Sequence, residues 1–368
     1  MTNNRLRDHF PMLRDREEVL ADIYKNEALT LTFDHWTKSQ QEEFLNFCTG
    51  IRGVKVLYDC FFKEIFNPDE KPERLERLLS LLLENEVRIL HVLPNESGGI
   101  AAEGALLVMD IVVQLSDGSI VNIEIQKIGY HFPGQRCACY SADLLLRQYK
   151  RVKGAKGKKF SYRDMKPVYT IVFFENSPTE FRKLQHTWIH RVSPRSDTGV
   201  QLELLQDYLF VALDIFRKNL QNKAKETINE LEAWLIFLCM DDPEWITELT
   251  ESRPEFQAFY REIYEMCRNT ERVMGLFSEE LAIMDKNTAQ YMIDEMQEQL
   301  DEQKRLFDQQ EKLLGERERR LDEQGKRLDE KEKLLDEKGA VIAKQENEIL
   351  ALRQQIEELT KRLNEAKL

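Results

Sequence analysis

The chain has 368 residues, 42% of them hydrophobic and 32% charged, with a formal net charge of −13. That length suffices for one to three domains with a sizeable core. So acidic a chain does not coat nucleic acid through bulk charge, although a local basic site is compatible with it. Six scattered cysteines (Cys48, Cys60, Cys137, Cys139, Cys239, Cys267) form no C-x-x-C pair. They predict reduced thiols in a cytoplasmic protein and give no support to zinc. MTNNRLRDHF lacks an apolar leader, and no apolar run reaches the ~18 residues of a membrane span, so no membrane partner is expected.

Residues 1–50 are polar and helix-leaning, with Thr37 and Ser39 as N-cap candidates before QQEEFLNFC. From 51 to 205 the pattern is mixed α/β. LYDCFFKEIF and ERLERLLSLLLEN repeat their apolar residues at three and four and predict helices. A hairpin follows, then a helix through RCACYSADLLLRQYKR, a basic loop, and VYTIVFF, a continuous apolar run suited to a buried strand. Residues 206–294 read as an all-helical accessory region: LLQDYLFVALDIF, INELEAWLIFLCM, EFQAFYREIYEMC and the run around MIDEM. In 295–368, Leu300, Phe307, Leu314, Leu321, Leu328, Leu335, Ile342, Ile349, Ile356 and Leu363 recur every seven residues. That period predicts a coiled coil, roughly 100 Å long at ~1.5 Å per residue. Its second seam is mostly polar (Arg317, Gln324, Lys331, Lys338, Gln345), so a loosely paired coil and a single solvated helix both fit.

The hairpin MDIVVQLSDGSIVNIEIQK places two acids, Asp110 and Glu124, among residues otherwise suited to strands. A two-residue loop at Asp117-Gly118 would leave those acids on opposite faces. A three-residue loop, Ser116-Asp117-Gly118, pairs Leu115 with Ser119 and sets Asp110 opposite Glu124. Only this second register gathers Ile111, Val113, Leu115, Val121, Ile123 and Ile125 on one apolar face. The other face then carries Asp110, Gln114, Asn122, Glu124 and Gln126 beside Val112 and Ile120. Acids about 5 Å apart repel unless one is protonated or a cation lies between them. Mg²⁺, a hard ion that binds through one or two carboxylates, suits the second case, whereas a plain solvated sheet face needs no ligand.

The spacing of Asp110 and Glu124-x-Gln126 resembles the catalytic core of PD-(D/E)XK nucleases, and the surrounding residues resemble its recombination-promoting nuclease and putative transposase branch. The resemblance rests on Asp59-Cys60-Phe61-Phe62-Lys63-Glu64-Ile65-Phe66, Glu124-Ile125-Gln126, Arg136, Tyr140, Gln148 and Pro167-Val168-Tyr169-Thr170-Ile171. It covers roughly 51–200 and, more loosely, the helical part around Trp234-Leu235. It implies an α/β, restriction-endonuclease-like core with a mixed sheet flanked by helices, followed by the helical accessory region and the coiled coil. It also implies a metal-dependent DNA endonuclease, with Asp110, Glu124 and the Ile125 carbonyl holding Mg²⁺ or Mn²⁺ and Gln126 placing water. Gln126 stands where the superfamily usually has lysine. Lys127 points to the other side of the pleat and cannot replace it.

For Asp59 and Lys63, an exposed one-turn ion pair and a role near metal or phosphate both remain open. Arg136 and Tyr140 either contact the scissile phosphate or belong, with Asp143 and Arg147, to a polar stripe that buttresses the sheet. Arg147, Lys150, Arg151, Lys153, Lys156, Lys158, Lys159, Arg163 and Lys166 face one acid, Asp164. This run, with KGAKGKK read as a flexible loop beside the site, suits DNA phosphates as well as simple solvation. His186 and His190, if on a strand, lie about 13 Å apart and share no ion. A homodimer through the coiled coil is expected. A catalytically idle DNA-binding or scaffold protein retaining the fold is the alternative.

Overall fold

The computed structural model describes residues 5–94, 110–127, 134–221, 223 and 227–365. Its centre is a six-stranded mixed sheet in the order β1-β2-β3-β4-β6-β5. The strands are β1 (Ile89–Val92), β2 (Ile111–Leu115), β3 (Ile120–Gln126), β4 (Val168–Phe174), β5 (Ile189–Val192) and β6 (Gln206–Ala212). β3, β4 and β6 run parallel to one another, while β1–β2, β2–β3 and β5–β6 are antiparallel. The helices in chain order are α1 (Arg5–His9), α2 (Arg16–Tyr24), α3 (Glu27–His35), α4 (Lys38–Thr49), α5 (Asp59–Ile65), α6 (Pro72–Leu83) and α7 (Gly134–Lys156). There follow α8 (Thr179–Arg182), α9 (Leu213–Leu220), α10 (Glu230–Cys239), α11 (Pro243–Ser252), α12 (Pro254–Cys267) and α13 (Thr270–Glu365).

The two faces of the sheet are covered differently. Ile111, Val113, Val121, Ile123, Ile171, Phe173 and Val211 share one core with Phe61, Phe62, Leu78, Trp234 and Phe277, from α5, α6, α10 and the start of α13. On the opposite face α7 lays Tyr140 and Leu144 against Val112, Ile120 and Val168, and Cys137 against Val172 and Phe174. The parallel step from β3 to β4 explains α7, because parallel neighbours require a long crossover and a helix supplies it. Thr37, rather than Ser39, caps α4 in a reciprocal box with Gln40.

Two local readings of the sequence are corrected. Gln206–Ala212 is a strand, not helix, and the helix in LLQDYLFVALDIF begins only at Leu213. A strand paired on both sides reads as a plain apolar run that periodicity cannot separate from a buried helix. The KGAKGKK segment is not a flexible loop. α7 continues to Lys156, and Gly157, at φ +53°, ends it in the left-handed conformation that leads into a 3₁₀ turn, Gly157–Lys159.

The chain divides into two units, Met1–Asn287 and Thr288–Leu368. The second is helical through Glu365, with Leu300, Phe307, Leu314, Leu321, Leu328, Leu335, Ile342, Ile349 and Ile356 all exposed. The six cysteines are free thiols. Among the described residues no helix is long and apolar enough to cross a membrane.

Candidate active site

The turn between β2 and β3 sets the site. The Gly118 N–H donates to the Leu115 carbonyl (2.9 Å), and the Leu115 N–H donates to the Ser119 carbonyl (2.8 Å). Asp117 braces the turn by accepting from the Ser119 N–H and hydroxyl, each at 2.9 Å. Gly118 has φ +92°, where a side chain is strained, so the three-residue loop depends on glycine. The ladder pairs Ile111 with Ile123 and Gln114 with Ile120, the register expected from the pleat. One step further, Asp110 stands opposite Glu124.

Asp110 is held from two directions. Its Oδ2 accepts the Ile125 N–H at 2.8 Å, and its Oδ1 lies 3.3 Å from the Lys63 ammonium. Lys63 thus reaches across to the hairpin, and a direct one-turn ion pair with Asp59 is not formed. Asp59 opens α5, where the positive end of the helix favours an acid. Burial, then repulsion from Asp110, raises its carboxyl to about 6. Burial works against the Lys63 charge, but Asp110 and Asp59 together outweigh it and leave its pKa raised.

Glu124 is only 7% exposed and, among the described residues, forms no ion pair. Its Oε1 accepts from the Asn122 amide at 3.0 Å. Burial and the Asp110 charge push it up to about 8, against the weaker opposing effects of Asn122 and Arg136. Arg136 and Tyr140, one turn apart on α7, are joined by an Nε–H donated to the phenol oxygen (2.6 Å). Burial and Glu124 raise the Tyr140 phenol, which places this pair beside the acids. Gln126 follows on the same pleat face as Glu124 at the end of β3, its carbonyl accepting the Glu175 N–H.

Three carboxylates with hard oxygen donors therefore approach one another from α5, the start of β2 and β3. Among the described residues no three His, Cys, Asp or Glu form a ready-made cage for an ion. A buried, proton-seeking Glu124 opposite Asp110 fits a divalent cation, since a positive charge between them would offset both the burial and the Asp110 repulsion that raise it.

The remaining candidates divide. Arg147 is engaged internally, with Nε 2.9 Å from Asp143 and Nη1 donating to the Pro94 carbonyl at 2.8 Å. Gln148 clamps the chain entering β4, accepting the Lys166 N–H (2.7 Å) and donating to its carbonyl (3.2 Å). Lys150, Arg151, Lys153, Lys156, Lys158 and Lys159 are exposed. They lie toward the far end of α7 rather than beside the acids: Lys156 is about 30 Å from Arg136 along the axis at ~1.5 Å per residue.

One pair escaped sequence reasoning. Lys127, on the pleat face opposite Gln126, forms an ion pair with Glu280 of α13, both nearly sealed from solvent. The Lys127 ammonium also lies 5.1 Å from the Tyr58 ring centroid, next to Asp59. The one local signal was an acid set among Val273, Met274, Phe277 and Leu281 at helical core spacing.

A family model described as PD-(D/E)XK nuclease family transposase matches residues 56–296, more than half of the chain. Neither a curated protein nor a solved structure matches it.

Proposed function

This chain belongs to the PD-(D/E)XK nuclease family transposases, and on that footing we propose that it is a divalent-metal-dependent DNA endonuclease. The observation that carries the reading is the hairpin register, which sets Asp110 opposite Glu124 while α5 brings Asp59 and Lys63 to the same place. Asp110, Glu124 and the Ile125 carbonyl would hold Mg²⁺ or Mn²⁺. Such an ion, when bound, lowers the pKa of water and offsets charge gathering on phosphate oxygens.

The chain's own residues do the rest. Gln126 orients the attacking water through neutral hydrogen bonds, accepting from it or donating to it without supplying charge. The water oxygen bonds to phosphorus as the opposite P–O bond breaks, the leaving oxygen takes a proton, and the attacking water gives one up. Lys63, paired with Asp110, and the Arg136–Tyr140 pair receive non-bridging phosphate oxygens in this reading. Lys150, Arg151, Lys153, Lys156, Lys158 and Lys159 contact the DNA backbone farther along. The exposed heptad stripe of the second unit pairs with that of a second copy, giving a cytoplasmic homodimer with two sites, one for each strand.

The test is plasmid cleavage with Mg²⁺ or Mn²⁺, comparing wild type, Asp110→Asn and Glu124→Gln with an EDTA control. Cleavage by wild type alone, abolished by EDTA, is expected. A second reading, a catalytically idle DNA-binding scaffold, is favoured by the pairing of Lys127 with Glu280. So engaged, Lys127 does not supply the charge that the glutamine at 126 lacks. A wild type that binds DNA but never cuts it would establish that second reading.

A further inference from the structure

The outer end of α7 carries more than charge. Tyr149 on α7 lies parallel to Tyr162, with ring centroids 6.0 Å apart and planes 11° apart. Phe160 meets both edge-on, at 5.4 Å and 5.3 Å. Tyr149 follows Tyr140 by two and a half helical turns and so lies on the opposite face of α7, turning the trio away from the sheet. Tyr162 is 75% exposed and yet firmly held. It opens a short 3₁₀ turn, Tyr162–Asp164, that is closed by a reciprocal cap between Ser161 and Asp164. Lys156 grips Asp164 at 2.5 Å, and the Gln148 clamp on Lys166 fixes the far side. The Lys153 ammonium sits 2.7 Å from the Tyr149 hydroxyl. Lys158, Lys159 and Arg163, exposed and flanking Phe160 and Tyr162 in the chain, have no carboxylate partner among the described residues and add available positive charge.

Cations alone suffice to hold the phosphates of a duplex, whose bases are already stacked on one another. A flat, immobile, exposed ring among cations adds something only where a base is free to stack on it. We propose that Tyr162, backed by Tyr149 and Phe160, is a stacking platform for unpaired bases of single-stranded DNA. Resting on the nuclease reading, this names the substrate class as duplex DNA bordered by a single-stranded segment: a frayed end, gap or hairpin loop. The platform lies about 20 Å from Arg136 along α7, at ~1.5 Å per residue. At ~3.4 Å per nucleotide of stacked strand, that is about six nucleotides from the acids.

Binding is read by fluorescence anisotropy of the full chain in EDTA, so no cleavage is needed and failure of the nuclease reading is scored separately. The probes are a labelled oligothymidine, a blunt duplex of the same length and an oligouridine. Tyr162→Ala is expected to weaken oligothymidine binding about 5- to 150-fold, the range for loss of one stacked base, and to leave duplex binding unchanged. Tyr162→Phe retains binding, because stacking needs the ring and not the hydroxyl. Lys158→Ala with Lys159→Ala weakens both DNA probes and flattens their salt dependence. The proposal is overturned if wild type does not bind oligothymidine, if Tyr162→Ala affects both DNA probes alike or neither, or if oligouridine is the tighter ligand.

Discussion

Lys127, the residue immediately after Gln126, is paired with Glu280 on a turn of α13 buried in the core. This ties the end of the strand that carries Glu124 to a helix that begins almost 150 residues later. Breaking a buried pair by removing one partner leaves an uncompensated charge. Lys127→Met or Glu280→Leu alone should therefore cost about 3–5 kcal/mol, and the two together much less than their sum. Urea unfolding of the four proteins completes the cycle, and simple additivity would argue against the pairing.

Glu124 predicts an unusual pH dependence in the absence of divalent ions. Its carboxyl is raised to about 8, against 4.5 for an ordinary glutamate. Below about 4.5 it is protonated in folded and unfolded chains alike, and its contribution to stability is complete. As pH rises toward 8 the unfolded chain ionises while the folded one resists, so that contribution falls by about 1.4 kcal/mol per pH unit until it is lost above 8. Asp59, raised to about 6, acts in the same sense over a lower range. In EDTA, Glu124→Gln should match wild type near pH 4 and exceed it in thermal stability near pH 8.

The same acid links metal binding to protons. A cation between Asp110 and Glu124 must displace the proton that Glu124 holds, so Mn²⁺ affinity should rise between pH 6 and 8 and level off above. Calorimetry in buffers of different ionisation enthalpy would count the released proton. An affinity independent of pH would remove Glu124 from the ligand set.

Gly118 is the residue on which the register depends. Its φ of +92° is unfavourable for any side chain, and a Cβ there would lie 3.2 Å from Lys166 Cγ. Gly118→Val should destabilise the protein by about 1–3 kcal/mol, with Gly118→Asn milder because asparagine tolerates the left-handed region. Denaturant unfolding measures the cost. Loss of Mn²⁺ affinity in the valine variant would report that the opposition of Asp110 and Glu124 has been disturbed.

The exposed stripe Leu328, Leu335 and Ile342 predicts self-association. Wild type should sediment as a dimer at micromolar concentration, and Leu328→Lys with Leu335→Lys should sediment as a monomer of unchanged fold by circular dichroism. A monomeric wild type would leave the second unit a single helix, stabilised by neighbouring acid–base pairs at a few tenths of a kcal/mol each.

Sequence alone determined the features that depend on near neighbours. The two-residue period of a pleat and the conformational freedom of Gly118 were enough to choose the hairpin register and so to oppose Asp110 and Glu124. The three-and-four spacing of Phe61, Phe62, Leu75, Leu78 and Leu79 was enough for α5 and α6, and the strict sevenfold period marked the heptad stripe. Tertiary structure decided what depends on distant chain. Gln206–Ala212 is a strand because β4 and β5 lie on either side of it, a fact absent from its own run of apolar residues. Lys63 turned to Asp110 rather than Asp59, and Gln148 to the backbone of Lys166, because helix and strand packing brought those partners within reach. Lys127 meets Glu280 because the start of α13 packs in the core. A buried charge takes whatever counter-charge folding delivers, and sequence separation places no limit on where that partner comes from.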